Sequence, residues 1–104
     1  MGHALEHALE KVRQICARRE YCQQDARDKL YDLGLHKADV EEAISRLIAD
    51  DFVNEERYAC SYAHDKIRLS HWGWKKVEQH LLQKRISHYC IAKAKKYVPF
   101  AEQE

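Results

Sequence analysis

Two groups of side chains in this sequence have types and spacings that could do chemistry. In the first, Cys60 and His64 stand four residues apart, which puts them on one face if the segment is helical, with His71 a short way on. Thiolate and imidazole at that spacing are what a zinc ion takes, but a structural zinc wants four clustered Cys or His ligands and nothing nearby completes the set. The second group is cationic. Lys66, Arg68, Lys75, Lys76, Lys84, Arg85, Lys93, Lys95 and Lys96 all fall within 66–96, a stretch whose single acidic residue is Glu78. Such a run is built either for an anionic partner or simply as a solvated face. Within it, "HWGWKK" (71–76) sets two tryptophans around a glycine and follows them with two lysines.

Catalysis has no comparable foothold. There is no GxSxG, no HExxH and no glycine-rich loop able to cradle a phosphate. The chain is therefore expected to be non-enzymatic, with no cofactor and no metal. Formal net charge is only +1, yet the two halves differ in sign. Residues 1–51 carry 8 basic and 11 acidic side chains, and 52–104 carry 10 and 6. The basic set, joined by Arg18 and Arg19 at the corresponding approach in the first half, is the candidate binding surface. Lys75 and Lys76 would open a helix, where backbone N–H groups already favour anions.

The elements that must position these groups read as helices throughout. One proline and three glycines in 104 residues favour helix over strand and turn. Apolar residues recur at helical spacing over about 4–19 (Leu5, Ala8, Leu9, Val12, Ile15, Cys16), 23–33 (Ala26, Leu30, Leu33) and 37–50 (Val40, Ala43, Ile44, Leu47, Ile48). They recur again over 55–69 (Tyr58, Ala59, Tyr62, Ala63, Ile67), 74–84 (Val77, Leu81, Leu82) and 88–98 (Ile91, Ala94, Val98). Gly34 is a stop signal, Asn54 and Ser87 are N-cap residues, and Pro99 ends the last helix.

An offset of 51 residues lays the second half on the first. Ala8 falls on Ala59, Val12 on Ala63, Cys16 on Ile67, Tyr21 on Trp72 and Ala26 on Val77. Leu30 meets Leu81, Leu35 meets Ile86, Val40 meets Ile91, Ala43 meets Ala94 and Leu47 meets Val98. Matched apolar positions in one ungapped register predict a tandem of two three-helix units, six helices in an all-α fold, 1–53 and 54–104. Trp72, on Tyr21, is expected to be a core plug, with Gly73 allowing the tight turn after it. Trp74 has no apolar precedent in the first unit. It is expected to be exposed beside Lys75 and Lys76, as a contact for a partner.

Four cysteines show no CxxC pair and no apolar leader begins the chain, so free thiols in a reducing cytoplasm are expected. Cys16, Cys60 and Cys90 should pack as small hydrophobes. No segment is apolar enough for a membrane span.

Three stretches resemble one family. "ARREYCQQDARDKLYDLGL" (17–35) has a basic-aromatic step opening its second helix and a Gly-aliphatic ending. "LIADDFVNEERYA" (47–59) has an aliphatic helix end, an acidic step, an aromatic, an Asn cap, then Arg and an aromatic before Ala. "WGWKKVEQHLLQKRI" (72–86) follows aromatic-Gly with basic residues, aliphatics and a basic-aliphatic close. In that order they resemble the regulatory protein RecX family, which modulates the bacterial recombinase RecA. The resemblance departs at Trp74, where the family commonly has Pro or a basic residue, and at Arg85, where it usually has Gly. The family typically carries a third three-helix unit, and the resemblance here covers two, as expected of either a fragment or a short member. The resemblance implies a regulator that binds the RecA filament; the basic residues and Trp74, by their charge and expected exposure, are the expected contacts, and the chain is expected to be monomeric. The alternative reading is a small helical module that binds single- or double-stranded DNA non-specifically through its phosphates.

Overall fold

The computed structural model describes residues 2–98, and among them every regular element is an α-helix. The helices are α1 (Gly2–Arg18), α2 (Gln23–Asp32), α3 (Lys37–Ala49), α4 (Glu55–Arg68), α5 (Trp74–Gln83) and α6 (His88–Tyr97). The chain divides into two compact units, Met1–Asn54 and Glu55–Glu104, so each holds three helices. Pro99 lies outside the described residues.

Each unit is built around one apolar stripe per helix. In the first, Ala8, Leu9 and Val12 of α1 meet Ala26 and Leu30 of α2 and Val40, Ala43, Ile44 and Leu47 of α3, with Leu35 and Val53 closing the ends. In the second, Tyr58, Ala59 and Ala63 of α4, Trp74, Val77 and Leu81 of α5, and Ile91 and Ala94 of α6 are buried. Ile86 and Val98 join them. The internal repeat holds at the level of burial. Every pair matched at the 51-residue offset has the same status on both sides, fully buried at most positions and half-buried at Cys16/Ile67 and Tyr21/Trp72. Two expected core positions turn outward. Ile48 and Leu82 are each 43% exposed, because each lies one residue past the buried Leu47 or Leu81 and points off the stripe.

Helix ends follow the local chemistry. Ser87 accepts from the Cys90 amide through its hydroxyl at 3.2 Å and caps α6, as expected. Asn54 directly precedes α4 and donates its amide to the Asp51 carboxylate at 3.2 Å. At the head of α2 the cap is Cys22, fully buried, its sulfur accepting from the Asp25 amide at 3.5 Å. The buried small hydrophobe is thus Cys22, whereas Cys16, Cys60 and Cys90 are only half-buried.

Helices α2 and α5 end in the same reversal. Gly34 has φ 93° and donates to the Tyr31 carbonyl, while Leu35 donates back to Leu30. Fifty-one residues on, Arg85 has φ 63° and donates to Leu82, while Ile86 donates back to Leu81. Both are left-handed caps that return the next aliphatic side chain to the core. Asp51, at φ 63°, ends α3 similarly, and Phe52 donates back to Leu47.

The two tryptophans are the reverse of the sequence expectation. Trp74 is 5% exposed and belongs to the core, while Trp72 is half-buried. Helix α5 starts at Trp74, and Trp74, Val77 and Leu81 form its stripe at i, i+3, i+7. Opposite Trp74 in the first unit stands the polar Gln23, and opposite Gly73 stands the buried Cys22. The apolar side chain at the head of the helix therefore comes one residue later in the second unit, and Trp74 supplies it. Gly73 itself sits at φ −80°, open to any residue; the left-handed position in this turn is His71, at φ 58°.

Two bidentate ion pairs bind α1 and α2 to α3. Arg46 grips Glu6 at 2.8 and 3.4 Å, and Arg27 grips Glu41 at 2.9 and 3.1 Å. The guanidinium hydrogen bonds hold both carboxyls below their ordinary range. Their contribution to stability is present above the unfolded carboxylate pKa and is lost as pH falls through the lowered folded values.

Three outcomes follow. Trp74→Ala lowers stability by about 3–5 kcal/mol, as for other deleted core aromatics, while Trp72→Ala costs clearly less; thermal melts of the two variants measure the difference. Gly34→Ala costs about 1 kcal/mol through backbone strain, since open space surrounds a Cβ there, and Arg85→Gly gains up to about 1 kcal/mol by relieving the same strain, both read by urea denaturation. Glu6→Gln with Glu41→Gln flattens the acid limb of the pH–stability curve.

Candidate functional site

The site begins with a backbone turn. After α4 ends, the Ser70 and Trp72 amides both donate to the Lys66 carbonyl, at 3.2 and 3.0 Å, and left-handed His71 folds the chain back between them. This sets the Trp72 indole beside the last turns of α4. The Lys66 ammonium then lies 5.0 Å from the centre of the Trp72 ring and 5.5 Å from that of Tyr62. From the first turn of α5, Lys76 reaches the same indole at 4.3 Å. One indole thus holds two ammonium groups against its electron-rich surface, an arrangement that favours both cations where they stand.

Behind them is a column of rings. Tyr58 stacks on Tyr62 at 5.8 Å, and Tyr62 stacks on His80 at 4.3 Å with only 8° between the planes. Trp72 meets both Tyr62 and His80 edge-on, at 6.1 and 6.5 Å. The column runs from the buried Tyr58 outward to half-buried Tyr62 and His80. Burial pushes the Tyr62 hydroxyl above its ordinary pKa, and the nearby Lys84 charge opposes that shift.

The other basic residues are dispersed. Lys75 is exposed in the first turn of α5, and Arg68 is exposed at the end of α4. Lys84 is half-buried at the end of α5, and Arg85 is exposed in its left-handed cap. On α6, Lys93 lies over the Tyr89 ring at 5.5 Å, and its interaction with Tyr89 raises its pKa. Lys95 lies 5.9 Å from the Trp74 ring and Lys96 is exposed. Tyr89 and Tyr97, 64% and 61% exposed, add aromatic surface to the same helix. Trp74 is buried, so it is no exposed contact. Arg18 and Arg19 belong to the first unit, both exposed. There Arg19 lies over the Tyr21 ring at 5.6 Å and lines a shallow cleft of about 220 Å³ with Asp25, Asp28, Lys29 and Asp32.

The structure therefore brings together Lys66 and Lys76, ten residues apart, around rings of Tyr62, Trp72 and His80. The sequence reading assigned Tyr62 and Trp72 to the core and passed over His80. A signal was present: Tyr62/Lys66 and Lys76/His80 are both i, i+4 pairs on neighbouring helices, with Trp72 in the turn between.

Metal chemistry finds no set of ligands, since no group of three or more His, Cys, Asp or Glu residues that could hold an ion occurs among the described residues. His64 instead meets Asp65 at 3.4 Å and the Tyr97 ring at 6.2 Å. Burial raises the pKa of the Cys60 thiol, with Glu56 and Cys90 adding to the shift and Lys93 opposing it, so this thiol is a poor nucleophile near neutrality. No helix among the described residues is long and apolar enough to cross a membrane.

The exposure of the two indoles has a direct optical consequence. Iodide is expected to quench the fluorescence of Trp72 in a Trp74→Phe variant and to leave Trp74 largely unquenched in a Trp72→Phe variant.

Comparison with known proteins identifies the family. Residues 54–94, which contain the whole cluster, match the family model described as "RecX, second three-helix domain". The chain is 31% identical over 78 residues to a protein named "Regulatory protein RecX" from Vibrio campbellii, covering 75% of the chain and 50% of that protein. It is 30% identical over 81 residues to the protein of the same name from Vibrio parahaemolyticus, covering 78% and 52%. The chain thus spans about half the length of the curated relatives it matches. Among solved structures, the crystal structure of RecX from Lactobacillus salivarius matches with a TM-score of 0.83 at 22% identity, over 94% of this chain and 64% of that one. With two three-helix units in that fold and the second recognised by its own sequence, the chain belongs to the RecX family.

Proposed function

We propose that this chain is a non-enzymatic regulator of recombination that binds the recombinase RecA, or the filament RecA forms on DNA, and alters that filament's growth, disassembly or strand exchange. Family membership supports a regulatory role, since the curated relatives bear the name of regulatory proteins, and RecA is the partner that the resemblance to the family suggests. The observation that carries the reading for these residues is the cation-bearing indole of the second unit, Trp72 under Lys66 and Lys76. Tryptophan and tyrosine are among the residue types on which protein interfaces concentrate their binding energy. The surrounding lysines favour encounter with an anionic nucleoprotein surface. Trp74 contributes from beneath, as core that fixes the start of α5 and hence the position of Lys75 and Lys76. The reading places the chain in the cytoplasm and acting as a monomer.

Co-sedimentation with RecA filaments assembled on single-stranded DNA tests the proposal. The chain is expected to pellet with filaments beyond the amount that pellets with DNA alone. Lys75→Glu with Lys76→Glu reduces that fraction by about tenfold, the effect of reversing two charges in a steered interface. Pelleting that is the same with and without RecA refutes the RecA reading.

A further inference from the structure

We propose that Lys66, Trp72 and Lys76 form a pre-organised contact for the phosphate backbone of nucleic acid, with Trp72 as the positioning residue that holds the two lysines ready. The inference rests on the reading that the chain works at a DNA filament, and assigns the part of its surface that meets the DNA.

Exposed lysines are ordinarily free rotors, and binding a phosphate freezes several of their torsions at a cost in entropy. Here both ammonium groups are already drawn to one ring, 5.0 and 4.3 Å from its centre. The ring is itself fixed by two amides bonded to the Lys66 carbonyl and by its edge-on packing against Tyr62 and His80. The lysines converge from different helices, which puts two cations within reach of neighbouring phosphates on one strand.

A second feature points to the same ligand chemistry. Helix α5 opens on Gly73, which offers no side chain to cap the first-turn amides, and no acidic residue stands in that turn. A ten-residue helix with no side-chain cap and no acidic residue in its first turn puts the positive end of its dipole beside Lys76. Tetrahedral phosphates with several acceptor oxygens suit ammonium and amide donors together. No element of the cluster offers a hydrogen-bonding pattern that distinguishes one base from another, so the contact follows the strand without reading its sequence.

The experiment measures binding of the full chain to oligo-dT and oligo-dA by anisotropy, without RecA, across a series of salt concentrations. Wild-type affinity is expected to fall linearly in log–log form and to be alike for the two homopolymers. Lys66→Gln with Lys76→Gln should make the slope shallower by about 1.4, the loss of two phosphate contacts on a single strand. Lys11→Gln with Lys37→Gln, which removes two exposed lysines of the first unit, should leave the slope unchanged. Trp72→Leu keeps both charges, so it should weaken binding at an unchanged slope, and Trp72→Phe, which restores a ring, should recover most of the loss. Melting curves confirm that each variant is folded. The proposal is overturned if the chain does not bind either homopolymer at low salt, or if the Lys66/Lys76 variant keeps the wild-type slope. It is overturned equally if the Lys11/Lys37 variant loses as much, if Trp72→Leu binds like wild type, or if polyglutamate at equal charge displaces the DNA, which would make the partner an acidic protein segment. The homopolymer assay contains no RecA, so its failure overturns this contact alone, while the RecA reading stands or falls on the pelleting assay.

Discussion

Each unit depends on one chain reversal, at the end of its second helix. A residue in the left-handed conformation stops the helix, and the amide after it bonds back across the last turn. The following aliphatic side chain, Leu35 or Ile86, is thereby pulled into the core. Without that reversal the third helix would leave in another direction, and its stripe of Val40, Ala43 and Leu47, or of Ile91 and Ala94, would lose its partners. Glycine does this in the first unit without strain. Arginine does it in the second at the cost of an unfavourable backbone, so the geometry there is imposed by the apolar side chains on either side. Packing energy from Leu81 and Ile86 outweighs roughly 1 kcal/mol of local strain.

The same economy of apolar positions explains the two tryptophans. A helix head needs one apolar side chain to seal it against the core. Cys22 does so in the first unit from the cap position itself; in the second the cap is glycine, and Trp74 does so from the first helical residue. That leaves Trp72 in a turn, with one side against Tyr62 and His80 and the remainder open to lysines. The core indole and the surface indole are thus two residues apart but answer to different constraints, one to helix periodicity and the other to the Lys66 turn.

The second unit carries a cluster of cations and rings that the first does not share. Tyr21 also carries a cation, Arg19, but its surroundings include Asp25, Asp28 and Asp32. Trp72 carries two lysines and lies beside an uncapped helix start. The repeat has kept its apolar skeleton while its two surfaces have diverged in charge, so the tandem presents unlike faces on like frames.

The sequence by itself determined the six helices, nearly to the residue, and the two-unit repeat. Both follow from apolar periodicity and from local stop and cap signals such as Gly34 and Ser87, which need only neighbours along the chain. It also determined the sign of the second unit, because charge adds up whatever the fold. The tertiary structure alone decided which tryptophan is core: α5 begins at Trp74 as the periodicity predicts, but whether that first helical residue or Trp72 in the preceding turn seals the core depends on what packs against the helix head. It decided too that Lys66 and Lys76 share a ring. Their separation in the chain carries no such information until the turn at His71 folds one helix back along the other.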